Sequence, residues 1–147
     1  MGTKNFGVPL LPAWLRWGGV LLVAMGIFYL SVITAPPETT IVPGRPDLVP
    51  LDKWRHFLAY AAFGGALAYA TVDWEYRTRT IALGALAIVV AYGVGIEVWQ
   101  SFIPDRYFGM GDAYANALGG VLAMPLFLLR DRLPFVSIGR LVDSLRH

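Results

Sequence analysis

Cysteine is absent from the chain. That removes disulfides, thiol nucleophiles and thiolate metal sites, and it leaves the redox compartment open. Histidine is scarce too: there are two, and His147 ends the chain, so His56 alone lies among the other polar residues. Asp52, His56, Glu97 and Asp112 are usable metal ligands, but with one histidine among them and no HExxH pair or Cys/His ligand set, no metal or cofactor is expected. Charge is sparse at 15% of residues, against about 25% in soluble domains. The net charge of +2 is small and its Lys and Arg are scattered, which argues against a nucleic-acid partner. The chain also lacks a Gly-rich phosphate loop, a nucleophile elbow, a dinucleotide fingerprint, an internal repeat and any low-complexity segment.

What is present is apolar. The 147 residues are 56% hydrophobic with a mean hydropathy of +0.56, which reads as an integral membrane protein. A bilayer-spanning helix takes about 20 apolar residues. Four stretches fit or come close, at about 13–34, 54–72, 80–103 and 112–129. The expected fold is therefore all-α, a four-transmembrane-helix bundle forming a single membrane domain over 1–147. A cleavable signal peptide is another reading of the first stretch, because SVITA precedes Pro36; its apolar core is long for that role.

With an even number of spans, both termini and the turn at 73–79 share one side. That side carries Lys4, Arg16, Arg77, Arg79, Arg130, Arg132, Arg140 and Arg146, against Arg45, Lys53, Arg55 and Arg106 opposite. The positive-inside rule then predicts cytoplasmic N and C termini. In the tail, Ile138, Leu141, Val142 and Leu145 fall on one stripe, as expected of an interfacial amphipathic helix; a frayed polar tail is the other reading.

Polar residues gather at the opposite, extracytoplasmic ends. Pro104 is expected to end the third helix, which puts Glu97 about 10 Å inside that end at 1.5 Å per residue. Gln100 and Ser101 follow on the same face at i+3 and i+4, and Gly93 continues it inward. Asp52, His56 and Tyr60 form an i, i+4, i+8 stripe at the start of the second helix. Asp112 is expected to N-cap the fourth helix, with Asn116 one turn on. Ala61/Gly65, Gly64/Ala68, Ala91/Gly95 and Ala115/Gly119/Ala123 are small-xxx-small pairs that let membrane helices approach closely. A charged group at the bilayer centre costs about 2.5–3.5 kcal/mol. The three stripes are therefore expected to pool in one pocket, with the first helix as a lipid-facing brace. Each residue also has a plainer role. Asp52 and Asp112 read as caps, His56 as a headgroup-level side chain beside Trp54, Asn116 and Gln100 as interhelical bonds, and Arg106 as a lipid-phosphate contact.

DKWRHFLAY at 52–60 and GIEVWQSFIPDRYFGMGDAYANALGG at 95–120 together resemble the VanZ-like family of small membrane proteins. The positions that carry the likeness are Asp52, Lys53, His56, Phe57 and Tyr60, then Glu97, Gln100, Pro104 and Arg106, then Asp112, Asn116 and Gly119, across about 50–125. Gly-Met-Gly before Asp112 departs from the small polar residue more usual there, and the loop at 35–53 is unusually proline-rich. The family's name comes from a protein linked to low-level teicoplanin resistance, so the resemblance implies a cell-envelope role in a multi-pass cell-membrane protein.

Three functions remain open. The first is a site that binds or modifies a lipid-linked or glycan-type envelope headgroup. Its candidate acid–base groups are Glu97, His56 and Asp112. Its candidate ligand-binding groups are Asp52, Lys53, Tyr60, Gln100, Arg106 and Asn116, with Arg55 beside Lys53 and Arg106 for an anion. The second is a non-enzymatic membrane scaffold whose partners are membrane lipids. The third, an ion or proton pathway, is weakest, because no acidic chain continues to the cytoplasmic side.

Overall fold

The computed structural model describes residues 7–34, 51–104 and 106–139, except for the side chains of residues 51 and 52. Asp52 as a ligand and the amphipathic stripe beyond Ile138 thus lie outside what is described. Helix α1 spans Ala13–Phe28 and continues as a π-helical turn over Tyr29–Ile33. Helices α2 (Leu51–Ala70) and α3 (Thr78–Gln100) follow, then α4 (Met110–Leu122) and the short α5 (Met124–Leu129). Pro125, with no N–H and a ring that crowds the preceding turn, accounts for the break between α4 and α5.

Three of these helices are long and apolar enough to cross a membrane: Ala13–Ile33, Thr78–Gln100 and the combined Met110–Leu129. Helix α2 is not among them. Its first turns hold Lys53, Arg55 and His56, which lower its mean hydropathy.

The surface is apolar on every helix. Trp14, Leu21, Leu22 and Met25 on α1, Leu83 and Ile88 on α3, and Tyr114, Leu118 and Val121 on α4 are all exposed. Large side chains turned outward in this way suit acyl chains as solvent, where association depends on close packing rather than on burial from water.

Helix α2 packs most extensively on α4. The two run parallel, and α3 runs against both. Gly119 sits directly on the α2 backbone: a Cβ there would overlap the Phe57 carbonyl oxygen and lie 3.0 Å from Ala61 N and Tyr60 Cβ. Gly64 faces Ala123 in the same seam, and Gly120 faces Val89 of α3. Of the small-residue pairs, Ala91/Gly95 does not serve this packing. Both residues are exposed, and a Cβ on Gly95 would meet nothing within 4 Å.

At one end of the bundle, Val8–Leu10 (β1) and Phe135–Ser137 (β2) pair as two parallel strands, with Val8 opposite Phe135 and Leu10 opposite Ser137. The all-α expectation missed this pairing. Each strand is three residues long, β1 with Pro9 at its centre and β2 directly after Pro134, so neither shows an alternating pattern.

Beside the strands, the buried Arg16 guanidinium grips Asp73 in two bonds, Nη1 to Oδ1 at 2.9 Å and Nη2 to Oδ2 at 2.5 Å. Tyr69 Oη accepts from Leu11 N–H and donates to Pro9 O. The Arg16 hydrogen bonds hold the Asp73 carboxyl below the ordinary carboxylate range. A depressed acid stabilises the fold fully above its unfolded value, near pH 4, and loses that effect as pH falls through the lowered value.

Two outcomes follow. Asp73→Asn should flatten the loss of thermal stability between about pH 4 and pH 2, read by melting in detergent; an unchanged acid limb would remove the Arg16–Asp73 pair as its source. Gly119→Ala should destabilise by about 1–3 kcal/mol through overpacking against backbone, measured by the same melt.

Candidate functional site

The parallel register of α2 and α4 fixes the geometry of the opposite end. Lys53 and His56 lie about one turn apart on α2, with Tyr60 a turn further in, and Asp112 and Asn116 lie one turn apart on α4. With the helices in register, Lys53 Nζ donates to Asp112 Oδ1 at 2.6 Å. His56 Nδ1 lies 2.9 Å from Asn116 Oδ1, and His56 Nε2 lies 3.5 Å from Asp112 Oδ1. With the carboxamide oxygen facing it, Nδ1 carries the proton, because that oxygen can only accept.

Glu97 enters from α3. It is 1% exposed, and its Oε2 accepts from the Gly109 N–H at 3.1 Å. Gly109 is the N-cap of α4, so the carboxylate sits at a helix N-terminus, where the dipole favours negative charge. The Gly93 backbone lets α3 come this close. A Cβ there would stand 3.0 Å from Asn116 Cβ and 3.1 Å from Tyr60 Cε1.

The cluster is underbonded. Glu97 Oε1, Asn116 Nδ2 and Tyr60 Oη are all buried without a hydrogen-bond partner. An orphaned buried polar group costs about 1–3 kcal/mol, and most such groups in native proteins are satisfied. Three in one place mark a site where hydrogen-bonding capacity exceeds what packing requires. One atom from each of His56, Glu97 and Asp112 lies within 4.8 Å of the others. The three are the acid–base candidates named from the sequence, brought together from three different helices.

Other residues take different places. Asp112 does not cap α4: Gly109 is the N-cap and makes no side-chain cap bond, while Asp112 lies in the first turn. Helix α3 ends at Gln100 rather than running to Pro104, closing through Phe102 N to Trp99 O and Ile103 N to Gln100 O. Gln100 turns away from Glu97, and its Nε2 donates to Ser31 O at 2.7 Å. Arg106 Nη1 donates to the same carbonyl at 2.7 Å. Gln100 and Arg106 thus answer that carbonyl and tie the end of the first helix to α3. Ser101 Oγ donates to Val98 O within its own helix. Arg55 is exposed.

Reading the sequence alone missed Ser31 and the buried Arg16. Two clefts open toward the β1–β2 end rather than here. One is lined by Trp17, Thr71, Trp74 and Thr80, the other by Leu11, Arg16 and Asp73.

A mostly helical chain with apolar outer faces and a buried polar cluster at one end of the bundle is of the membrane-protein class. The VanZ/LLP1 family model matches residues 18–131, and the chain belongs to that family. Comparison with curated proteins and with solved structures gives no match.

Tyr60→Phe removes an orphaned hydroxyl and should leave thermal stability unchanged or raise it slightly. A loss above about 1 kcal/mol would mean that the hydroxyl is hydrogen-bonded.

Proposed function

We propose that this VanZ/LLP1-family protein is a four-span membrane protein whose polar cluster binds, and acts on, the anionic headgroup of a lipid-linked or cell-envelope molecule. The observation that carries the reading is the group of orphaned atoms on Glu97, Asn116 and Tyr60, beside Lys53, His56 and Asp112. Helix α2 supplies the fourth span. Its 20 residues reach about 30 Å at 1.5 Å per residue, with Lys53 and Arg55 extending to the headgroup level. The excess of Lys and Arg on the β1–β2 side supports a cytoplasmic place for that side and an extracytoplasmic one for the cluster.

In this reading Lys53 and Arg55 hold the anion, and Arg106 steadies the rim through Ser31. His56, Glu97 and Asp112 supply the proton-transfer groups. Asp52 belongs to the same proposed set by its place in the first turn of α2. A purely structural role for the polar residues is the second reading, and the shared Ser31 bonds of Gln100 and Arg106 favour it for those two.

The test is native mass spectrometry of the purified chain for a co-purifying anionic lipid, in wild type and in Glu97→Gln and Lys53→Gln. The expected result is a retained lipid in wild type and its loss in both variants, with helicity unchanged. Equal lipid content in all three, or none in wild type, would discard the headgroup reading.

A further inference from the structure

The geometry points to a divalent-cation site, of zinc type, formed by His56, Glu97 and Asp112. It deepens the headgroup reading, on which its role rests but its existence does not. Ligand atoms from the three side chains lie within 4.8 Å of one another. A cation bound at about 2.0–2.2 Å needs its ligands about 3–4 Å apart, so modest side-chain rotation closes the set.

The second observation is independent of that clustering. Glu97 is 1% exposed, and its Oε1 has no partner. As a carboxylate that atom lacks a donor; as a carboxylic acid it lacks an acceptor. A cation would satisfy it.

The imidazole supports the same conclusion. Asn116 Oδ1 at 2.9 Å holds a proton on Nδ1, so in the neutral ring the Nε2 lone pair is directed at Asp112 Oδ1, 3.5 Å away. A lone pair facing a carboxylate oxygen at that distance is repulsive unless positive charge stands between them. Histidine ligands are held in this way, with the far ring nitrogen donating to a fixed oxygen. Asn116 is therefore a positioning residue for the coordinating ring.

Charge also balances. Two carboxylates and a neutral imidazole offset one divalent cation. With Lys53 alone in place, its ammonium pairs with Asp112 and leaves the Glu97 charge to the Gly109 N–H. Lys53 Nζ at 2.6 Å from Asp112 Oδ1 stands where the cation would draw that oxygen. Its side chain is 29% exposed, so it can swing outward when the cation enters. One nitrogen and two oxygen donors suit zinc with an open fourth position, and a headgroup oxygen fits that position. An imidazole ligand disfavours magnesium, which prefers oxygen.

The experiment is zinc titration of the tag-free, chelator-treated full chain in detergent, followed by elemental analysis after gel filtration. Wild type should retain about one zinc per chain and prefer it to magnesium. His56→Ala and Glu97→Gln should lose it, while His147→Ala should not. Asn116→Leu should weaken binding roughly 10–100-fold, and Lys53→Met should tighten it. No saturable zinc in wild type overturns the proposal, as does retention by folded His56→Ala or Glu97→Gln. Should those variants fail to fold, X-ray absorption of zinc-loaded wild type decides: an imidazole in a nitrogen/oxygen shell supports the site, and a shell without imidazole overturns it. Loss of the zinc result with a lipid still co-purifying overturns the cation alone. Zinc bound without any lipid leaves the cation site standing and overturns the headgroup reading.

Discussion

The backbone approach of α4 to α2 at Gly119 is the contact on which the rest of the structure depends. Because Gly119 has no side chain, the α4 backbone reaches Phe57 O and Ala61 N. That closeness fixes the parallel register, and the register brings Lys53 to Asp112 and His56 to Asn116. The two helices are distant in sequence, and no turn connects them directly. Tight van der Waals packing between small residues replaces the driving force that water gives to soluble bundles. Gly93 does the same for α3, letting Glu97 arrive beside the other two helices.

Each end of the bundle handles its polar groups differently. At the β1–β2 end the buried Arg16 finds Asp73 in a bidentate pair, and Tyr69 bridges into the strand segment. Two guanidinium groups there are anchored, Arg16 on Asp73 and Arg130 on Trp74 O, although Arg16 Nε and Arg130 Nη1 are buried without a partner. At the other end Ser31 O receives two donors, from Gln100 and Arg106, yet Glu97, Asn116 and Tyr60 keep unpaired atoms. In a low-dielectric interior, partly satisfied networks are costly. Here three unpaired atoms from three different helices gather in one cluster, and the VanZ/LLP1 match spans the segments that build it. The convergence of those three atoms beside His56 and Asp112 marks that end as the candidate functional one.

That distinction also divides the residues singled out in the sequence. Lys53, His56, Glu97, Asp112, Asn116 and Tyr60 converge. Gln100 and Arg106 form a neighbouring pair with a different duty, holding the Ser31 carbonyl. Their positions in the chain do not separate the two groups, because Gln100 is one turn from Glu97 on the same helix. The direction of each side chain is set by which neighbouring helix offers an acceptor.

The sequence by itself determined the apolar helices, the end of each at which the polar stripes lie, and the glycines that admit close neighbours. These follow from composition, 3.6-residue periodicity and the absence of side chains at particular positions, all local properties. Only the tertiary structure decided that Gly109 rather than Asp112 starts α4, that α3 stops at Gln100, that Ala91/Gly95 faces outward, and that β1 meets β2. Each depends on what stands opposite a residue across the bundle. His56, Glu97 and Asp112 are grouped from the sequence as one acid–base set, but their approach to within 4.8 Å of one another joins three helices and is a tertiary result. Interhelical register, set by packing at Gly93 and Gly119, puts the three together.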